Sequence, residues 1–140
     1  VTDYFPVFSD DWARACAVAL QQREGYRLAA AGWEGAVLLL MTAIGPGLGE
    51  RRVYFDLWHG DCRDARAATM EDEAAARYIL SGTVVAWQQV LTGGVAPLVA
   101  IMTGRLRLTK GSLVELIPYV NAAKELVAAA AMVQSSFPEA

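Results

Sequence analysis

His59, Asp61, Cys62, Arg63, Asp64 and Arg66 crowd into one short stretch of the chain. His59-x-x-Cys62 sets an imidazole near a thiol, the pairing a thiolate nucleophile uses, but no third residue stands ready to orient the base. A metal ion wants three or four converging ligands at known spacing, and this spacing supplies two. If the stretch is strand–turn–strand, alternate residues diverge: Cys62, Asp64 and Arg66 share one face and Arg63 takes the other. Its charges then pair within a hairpin and stabilise it modestly. Neither a metal nor a cofactor is expected. Asp56 shares a strand face with Tyr54 and Trp58. Turned inward it would be a desolvated acid with a raised pKa, suited to general-base work; turned outward it is a solvated or hydrogen-bonded charge. Alternation alone does not say which face is inward. The loop Gly45-Pro46-Gly47-Leu48-Gly49 lacks the Lys-Ser/Thr ending of a phosphate loop.

These groups must be positioned by a chain of 140 residues, one domain's worth. It is 55% hydrophobic and 19% charged, which excludes a disordered chain. A net charge of −3 excludes counterion-driven nucleic-acid binding. Two cysteines make no disulfide framework. The longest apolar run, Gly35 to Ile44, is about half of the twenty or so residues a membrane-spanning helix needs. Ala122–Val133 is alanine-rich and interrupted by Lys124 and Glu125. No basic, apolar leader is visible, so a cytoplasmic protein is expected. The apolar surplus points to an oligomer interface or to a cavity for an apolar ligand.

Residues 1–8 read as an apolar extended arm. Ser9 caps a helix opened by Asp10 and Asp11 and carrying Trp12, Cys16, Ala19 and Leu20. Val37–Ile44, Val53–Trp58 and Cys62–Ala68 read as antiparallel strands, with Val53, Phe55 and Leu57 on one face. After a short acidic loop or helical turn at Thr69–Ala76 comes a short strand, Arg77–Ser81. Thr83 caps a helix ended by Gly93-Gly94. Pro97 opens another that Gly104 closes. Arg105–Thr109 is a fifth strand. Ser112 and Glu115 form a capping-box pattern. The last helix carries Leu113, Leu116, Ile117, Val120, Ala123, Val127 and Ala131 on one stripe, and Pro118 within it predicts a kink or break near Glu115–Ile117. This order predicts an α+β domain with a mostly antiparallel five-stranded sheet covered by helices.

Residues 82–116 resemble the C-terminal signature of the sterol carrier protein type 2 family. The segment runs Gly82, a helix, Gly93-Gly94-Val95-Ala96-Pro97, a short helix, then Met102-Thr103-Gly104-Arg105-Leu106-Arg107-Leu108-Thr109-Lys110-Gly111-Ser112-Leu113. Leu57-Trp58-His59-Gly60-Asp61-Cys62-Arg63-Asp64 looks like a feature of the bacterial stand-alone members. The resemblance implies one domain over 1–140, enclosing an apolar cavity between sheet and helices. Its partner would be a hydrophobic small molecule: a fatty acid, fatty acyl-CoA, a sterol or a related lipid. Nucleic acid is not a partner; transient membrane contact and a homodimer are the further associations it allows. The side chains that would line such a cavity are Trp87, Val90 and Leu91 on one helix, then Leu98, Ile101 and Met102 on the next. Leu113, Leu116, Ile117 and Val120 on the last helix would close it. Arg105, Arg107 and Lys110 could meet a headgroup or an anionic surface, a solvated strand face being the plainer reading. Most members carry no catalytic residues. If the cavity is instead a reaction chamber, as for an isomerase or cyclase of an apolar metabolite, Asp56, His59 and Tyr54 are the candidates.

Overall fold

A computed structural model describes residues 4–42 and 49–137. The loop read at Gly45–Gly49 lies outside them except for Gly49, as does the strand end read at Ile44. The elements are β1 (Phe5–Pro6), α1 (Asp10–Gln21), α2 (Glu24–Ala29), β2 (Glu34–Met41), β3 (Arg51–Trp58), β4 (Asp61–Ala67), α3 (Met70–Ala75), β5 (Tyr78–Gly82), α4 (Val84–Leu91), α5 (Pro97–Met102), β6 (Leu106–Lys110), α6 (Leu113–Leu116), a 3-10 turn (Ile117–Tyr119), α7 (Val120–Ala131) and β7 (Ser135–Ser136). The expected α+β sheet forms, five strands in the order β4-β3-β2-β5-β6. Every pairing in it is antiparallel except β2 with β5. The N-terminal arm becomes β1, which pairs in parallel with β7, and Trp12 Nε1 donates to Ser135 Oγ at 2.8 Å. The two ends of the described chain are thereby tied together.

Alternation decides which residues reach the core. Val37 and Leu39 of β2, Val53, Phe55 and Leu57 of β3, Tyr78 and Leu80 of β5 and Leu106 of β6 share the helix-covered face. On the other face, Leu38 and Ile79 pack with Ala76, and Leu40, Tyr54 and Ala68 border them. Asp56 therefore points away from the core. Its carboxylate accepts from Arg63 Nε at 3.1 Å and Nη2 at 2.9 Å, and that guanidinium lies 4.7 Å from the Trp58 ring centroid.

The third strand departs from the expected alternation. A two-residue turn with left-handed φ at His59 and Gly60 (48° and 86°) joins β3 to β4. A register shift between Asp56 and Leu57 then sets Cys62 opposite Leu57, but Asp64 opposite Asp56. One extra residue on a strand reverses the facing of every side chain beyond it. Cys62 packs against the core, whereas Asp64 and Arg66 join Arg63 outside, so the three expected face-mates divide.

Ser9 caps α1, its Oγ accepting from the Trp12 N–H at 3.1 Å, and Thr83 caps α4 in the same way. The capping box expected at Ser112 and Glu115 does not form, because no side-chain bond caps α6 and Glu115 turns to Tyr78 and Arg77. A capping box exists instead at Thr69 and Asp72, opening the helical turn that is one of the two readings of this acidic stretch. Asp72 is nearly buried and accepts both from Arg66 and from the Thr69 N–H. Arg66, seconded by Thr69, holds its carboxyl at about 2 against an ordinary 3.8. Because the folded-state value is depressed, the stabilisation is complete above 3.8 and is lost as pH falls toward 2. Asp72→Asn should therefore lose about 1–2 kcal/mol at neutral pH. Urea melts at stepped pH should show its deficit against wild type shrinking over that interval.

Candidate functional site

The helices covering the sheet do not fill the space above it. They enclose about 120 Å³ of empty volume. Val37, Leu39, Phe55, Leu57, Leu80 and Leu106 form the floor; Tyr26, Ala30, Trp33 and Tyr78 stand at one end. Trp87, Val90 and Leu91 of α4, with Pro97, Leu98 and Ile101 of α5, make the side wall. The roof is α7 and the residues before it: Leu116, Tyr119, Val120, Ala122, Ala123, Leu126 and Val127. The hollow has a plain cause. Protein interiors are normally packed as densely as organic crystals. Here, however, α7 brings Ala122 and Ala123 to the hollow, and their side chains end at Cβ.

Among the described residues, the lining contains three tyrosines and otherwise only apolar or indole side chains. The indoles turn their donors outward: Trp87 Nε1 to the Leu40 carbonyl and Trp33 Nε1 to the Gly35 carbonyl, both at 2.8 Å. What faces the cavity from them is ring surface. Burial pushes the Tyr26 hydroxyl far up, so it stays protonated. Burial, and then the bond to Glu115, pushes Tyr78 to about 12. Such a site can desolvate a guest but holds no group charged at neutral pH within its wall.

Seven of the ten side chains expected at a cavity are in this wall: Trp87, Val90, Leu91, Leu98, Ile101, Leu116 and Val120. Met102, Leu113 and Ile117 are not. Met102 ends α5 and is 70% exposed; Ile117 is 51% exposed. Leu113 is half-buried at the start of α6. The expected stripe carries one helical period across the predicted kink, but the chain at Pro118 forms a 3-10 turn, Ile117–Tyr119, and α7 starts only after it. The turn's larger rotation per residue carries Ile117 away from the face that Leu116 and Val120 keep.

The alternative catalytic set is not assembled. Asp56 and Tyr54 lie on the far face of the sheet, where Tyr54 carries Arg66 at 4.8 Å from its ring centroid. His59 sits in the β3–β4 turn, its Nδ1–H donating to Ala31 O at 2.8 Å and its Nε2–H to Glu34 at 2.7 Å. Those two acceptors, Ala31 first, favour the imidazolium and raise its pKa. Cys62 donates its thiol to the Asp64 carbonyl at 3.4 Å, and burial pushes it up to about 12, far from a thiolate. The His59–Cys62 pair is thus committed elsewhere on both sides. Arg105 and Arg107 alternate with Leu106 and Leu108 and face away from the cavity, while Lys110 donates to the Ala74 carbonyl at 2.8 Å. Among the described residues no three His, Cys, Asp or Glu side chains converge on a metal position, and no helix is long and apolar enough to cross a membrane.

The residues singled out in the sequence omit the floor of the cavity and Tyr26, Trp33, Tyr78 and Tyr119. The signal for the floor is present in the alternation of Val53, Phe55 and Leu57, which needs only the inward face to be known. Of the α7 alanines, the sequence places Ala123 and Ala131 on the apolar stripe, but nothing in it singles out Ala122.

No protein-family model and no curated protein matches the chain. Solved structures do. A crystal structure of sterol carrier protein 2 is 40% identical, covers 91% of this chain and 98% of its own, and superposes with a TM-score of 0.81. A conserved hypothetical protein of Thermus thermophilus, itself a candidate sterol carrier protein, is 40% identical over 96% of this chain and 94% of its own, with a TM-score of 0.83. The solution structure of sterol carrier protein 2 from Aedes aegypti, in complex with the C16 fatty acid palmitate, shares the fold at 16% identity, covering 84% of this chain and 98% of its own with a TM-score of 0.51.

Proposed function

This chain belongs to the sterol carrier protein 2 family, and on that premise we propose that it binds and carries a long-chain lipid, acting as a single unit with no chemical step. The observation behind the proposal is the apolar hollow of about 120 Å³ roofed by Ala122 and Ala123. A volume of that order holds a benzene-sized guest, and drug-sized ligands need roughly 300 Å³ or more. A whole acyl chain therefore enters by spreading the walls. The segment suited to move is α6 with the turn at Pro118, since α6 has a single helical turn and no fully buried residue. The energy is available. About eight buried methylenes offer roughly 6 kcal/mol before the chain's ordering is counted. The mosquito protein of the same fold, which holds a C16 chain, supports the same guest size here. Val99, Met102, Val114 and Ile117 stand exposed on the outer sides of α5, α6 and the turn, which suits brief contact with a membrane that supplies the guest.

Native mass spectrometry of protein purified without detergent tests this directly. The expected spectrum shows a one-to-one adduct with the mass of a lipid, and a fluorescent fatty acid should titrate in with one site. Protein that arrives empty and takes up no fatty acid, acyl-CoA or sterol overturns the proposal.

A further inference from the structure

The donors at the Trp33 end of the cavity are arranged around one carboxylate. Tyr78, whose ring forms part of the wall, donates its hydroxyl to Glu115 Oε2. Arg77 Nη2 donates to the same oxygen at 3.2 Å, and its Nη1 to the Glu34 carbonyl at 2.6 Å. Both donors are seated on glycines. At Gly35, where φ is +137°, a Cβ would stand 2.6 Å from Arg77 Cδ. At Gly111, where φ is +100°, a Cβ would stand 2.3 Å from the Tyr78 ring. The far side of the Tyr78 ring meets Trp33 at 4.9 Å between centroids. Tyr78 and Arg77 are thus held by the sheet, whereas their shared acceptor rides on α6. The indole donors differ, being taken by backbone carbonyls of the sheet and its approach.

We propose that Arg77 and Tyr78 are the headgroup site for the carboxylate of a fatty acid, and that Glu115 occupies it as an internal stand-in until α6 moves. The inference rests on the carrier reading above and narrows it to a free acid in preference to a neutral lipid. Opening α6 by itself strips a buried hydroxyl and a half-exposed guanidinium of their shared acceptor. An incoming carboxylate restores both bonds with the same charge, while Glu115 passes into water. An alcohol or sterol headgroup brings one weak acceptor and leaves Arg77 without a charge partner. Charge-assisted bonds of this kind are about twice as strong as neutral ones, so discrimination by headgroup follows.

Calorimetric titration of delipidated protein with dodecanoate and with dodecanol, which share one chain length, separates the headgroup from the cavity. Wild type should favour the acid. Arg77→Met should weaken dodecanoate by about tenfold or more, and Tyr78→Phe by a few fold, each leaving dodecanol within about twofold. Glu115→Gln, which blunts the internal competitor, should tighten dodecanoate by about five- to tenfold and leave dodecanol unchanged. Equal changes for the two ligands, or none for dodecanoate, overturn the headgroup assignment while leaving the carrier reading intact. If neither ligand binds wild type, both fall together.

Discussion

Ala122→Phe should lower the affinity for a long-chain fatty acid by about a hundredfold or more while the protein stays folded. Ala122 is buried in the roof and borders the hollow. A phenyl ring added there is about the size of the benzene that an engineered 150 Å³ cavity accepts, and the hollow measures about 120 Å³. The ring fills the space that a ligand chain must enter. Excluding about four methylenes removes roughly 3 kcal/mol of transfer energy, which is a factor of about a hundred or more in Kd. Filling an existing void adds contacts where there were none, so the penalty that overpacking normally brings is offset here. Fluorescent fatty acid titration reads the affinity, and the near-ultraviolet circular dichroism spectrum reads the fold. Ala123→Phe, one position along the same roof, provides a second test should Ala122→Phe pack badly. A folded variant that binds as tightly as wild type would show that the guest lies elsewhere.

Trp87→Ala should cost about 3–5 kcal/mol of stability, the usual range for deleting a buried large aromatic. Trp87 is 2% exposed, meets Phe8 edge-on at 5.1 Å between centroids and donates to the Leu40 carbonyl. Its truncation opens the side wall of an already hollow core, removes the support that Phe8 rests on and strands that carbonyl. Against a total stability of roughly 5–15 kcal/mol, such a loss is severe. Trp87→Phe keeps a ring but still loses the bond to Leu40, and should cost about 1–2 kcal/mol. Chemical denaturation of delipidated protein is the right measurement, because bound lipid would mask the deficit by mass action. An Ala variant within about 1 kcal/mol of wild type would contradict the packing role assigned to this indole.

The legible part of this protein was local. Ser9 and Thr83 before apolar periodic runs, Pro97 and Gly104 around a short helix, and Val53, Phe55 and Leu57 in alternation all act through the backbone of their own segment, so the sequence suffices to read them. The α+β class and the five strands follow from such signals. Seven of the ten apolar side chains expected on α4, α5 and the last helix do line the hollow, since helical spacing places those of one helix on a common face wherever the helix is regular. Where it is not regular, at Pro118, the same spacing misplaces Ile117.

What the chain order could not convey was set by pairs distant in sequence. Which face of β3 is inward depends on helices elsewhere in the chain, and it decides that Asp56 and Tyr54 are outside the cavity. The shift that turns Asp64 and Arg66 outward exists only in the pairing of β3 with β4. The hollow itself belongs to no segment. It arises where residues of α7, Ala122 and Ala123 among them, and strand residues such as Leu39 and Phe55 border one space, and a void is a sum over both surfaces. Glu115, read as half of a capping box, goes instead to Arg77 and Tyr78. A carboxylate near two tertiary donors gains more from them than from an exposed backbone N–H that water can satisfy.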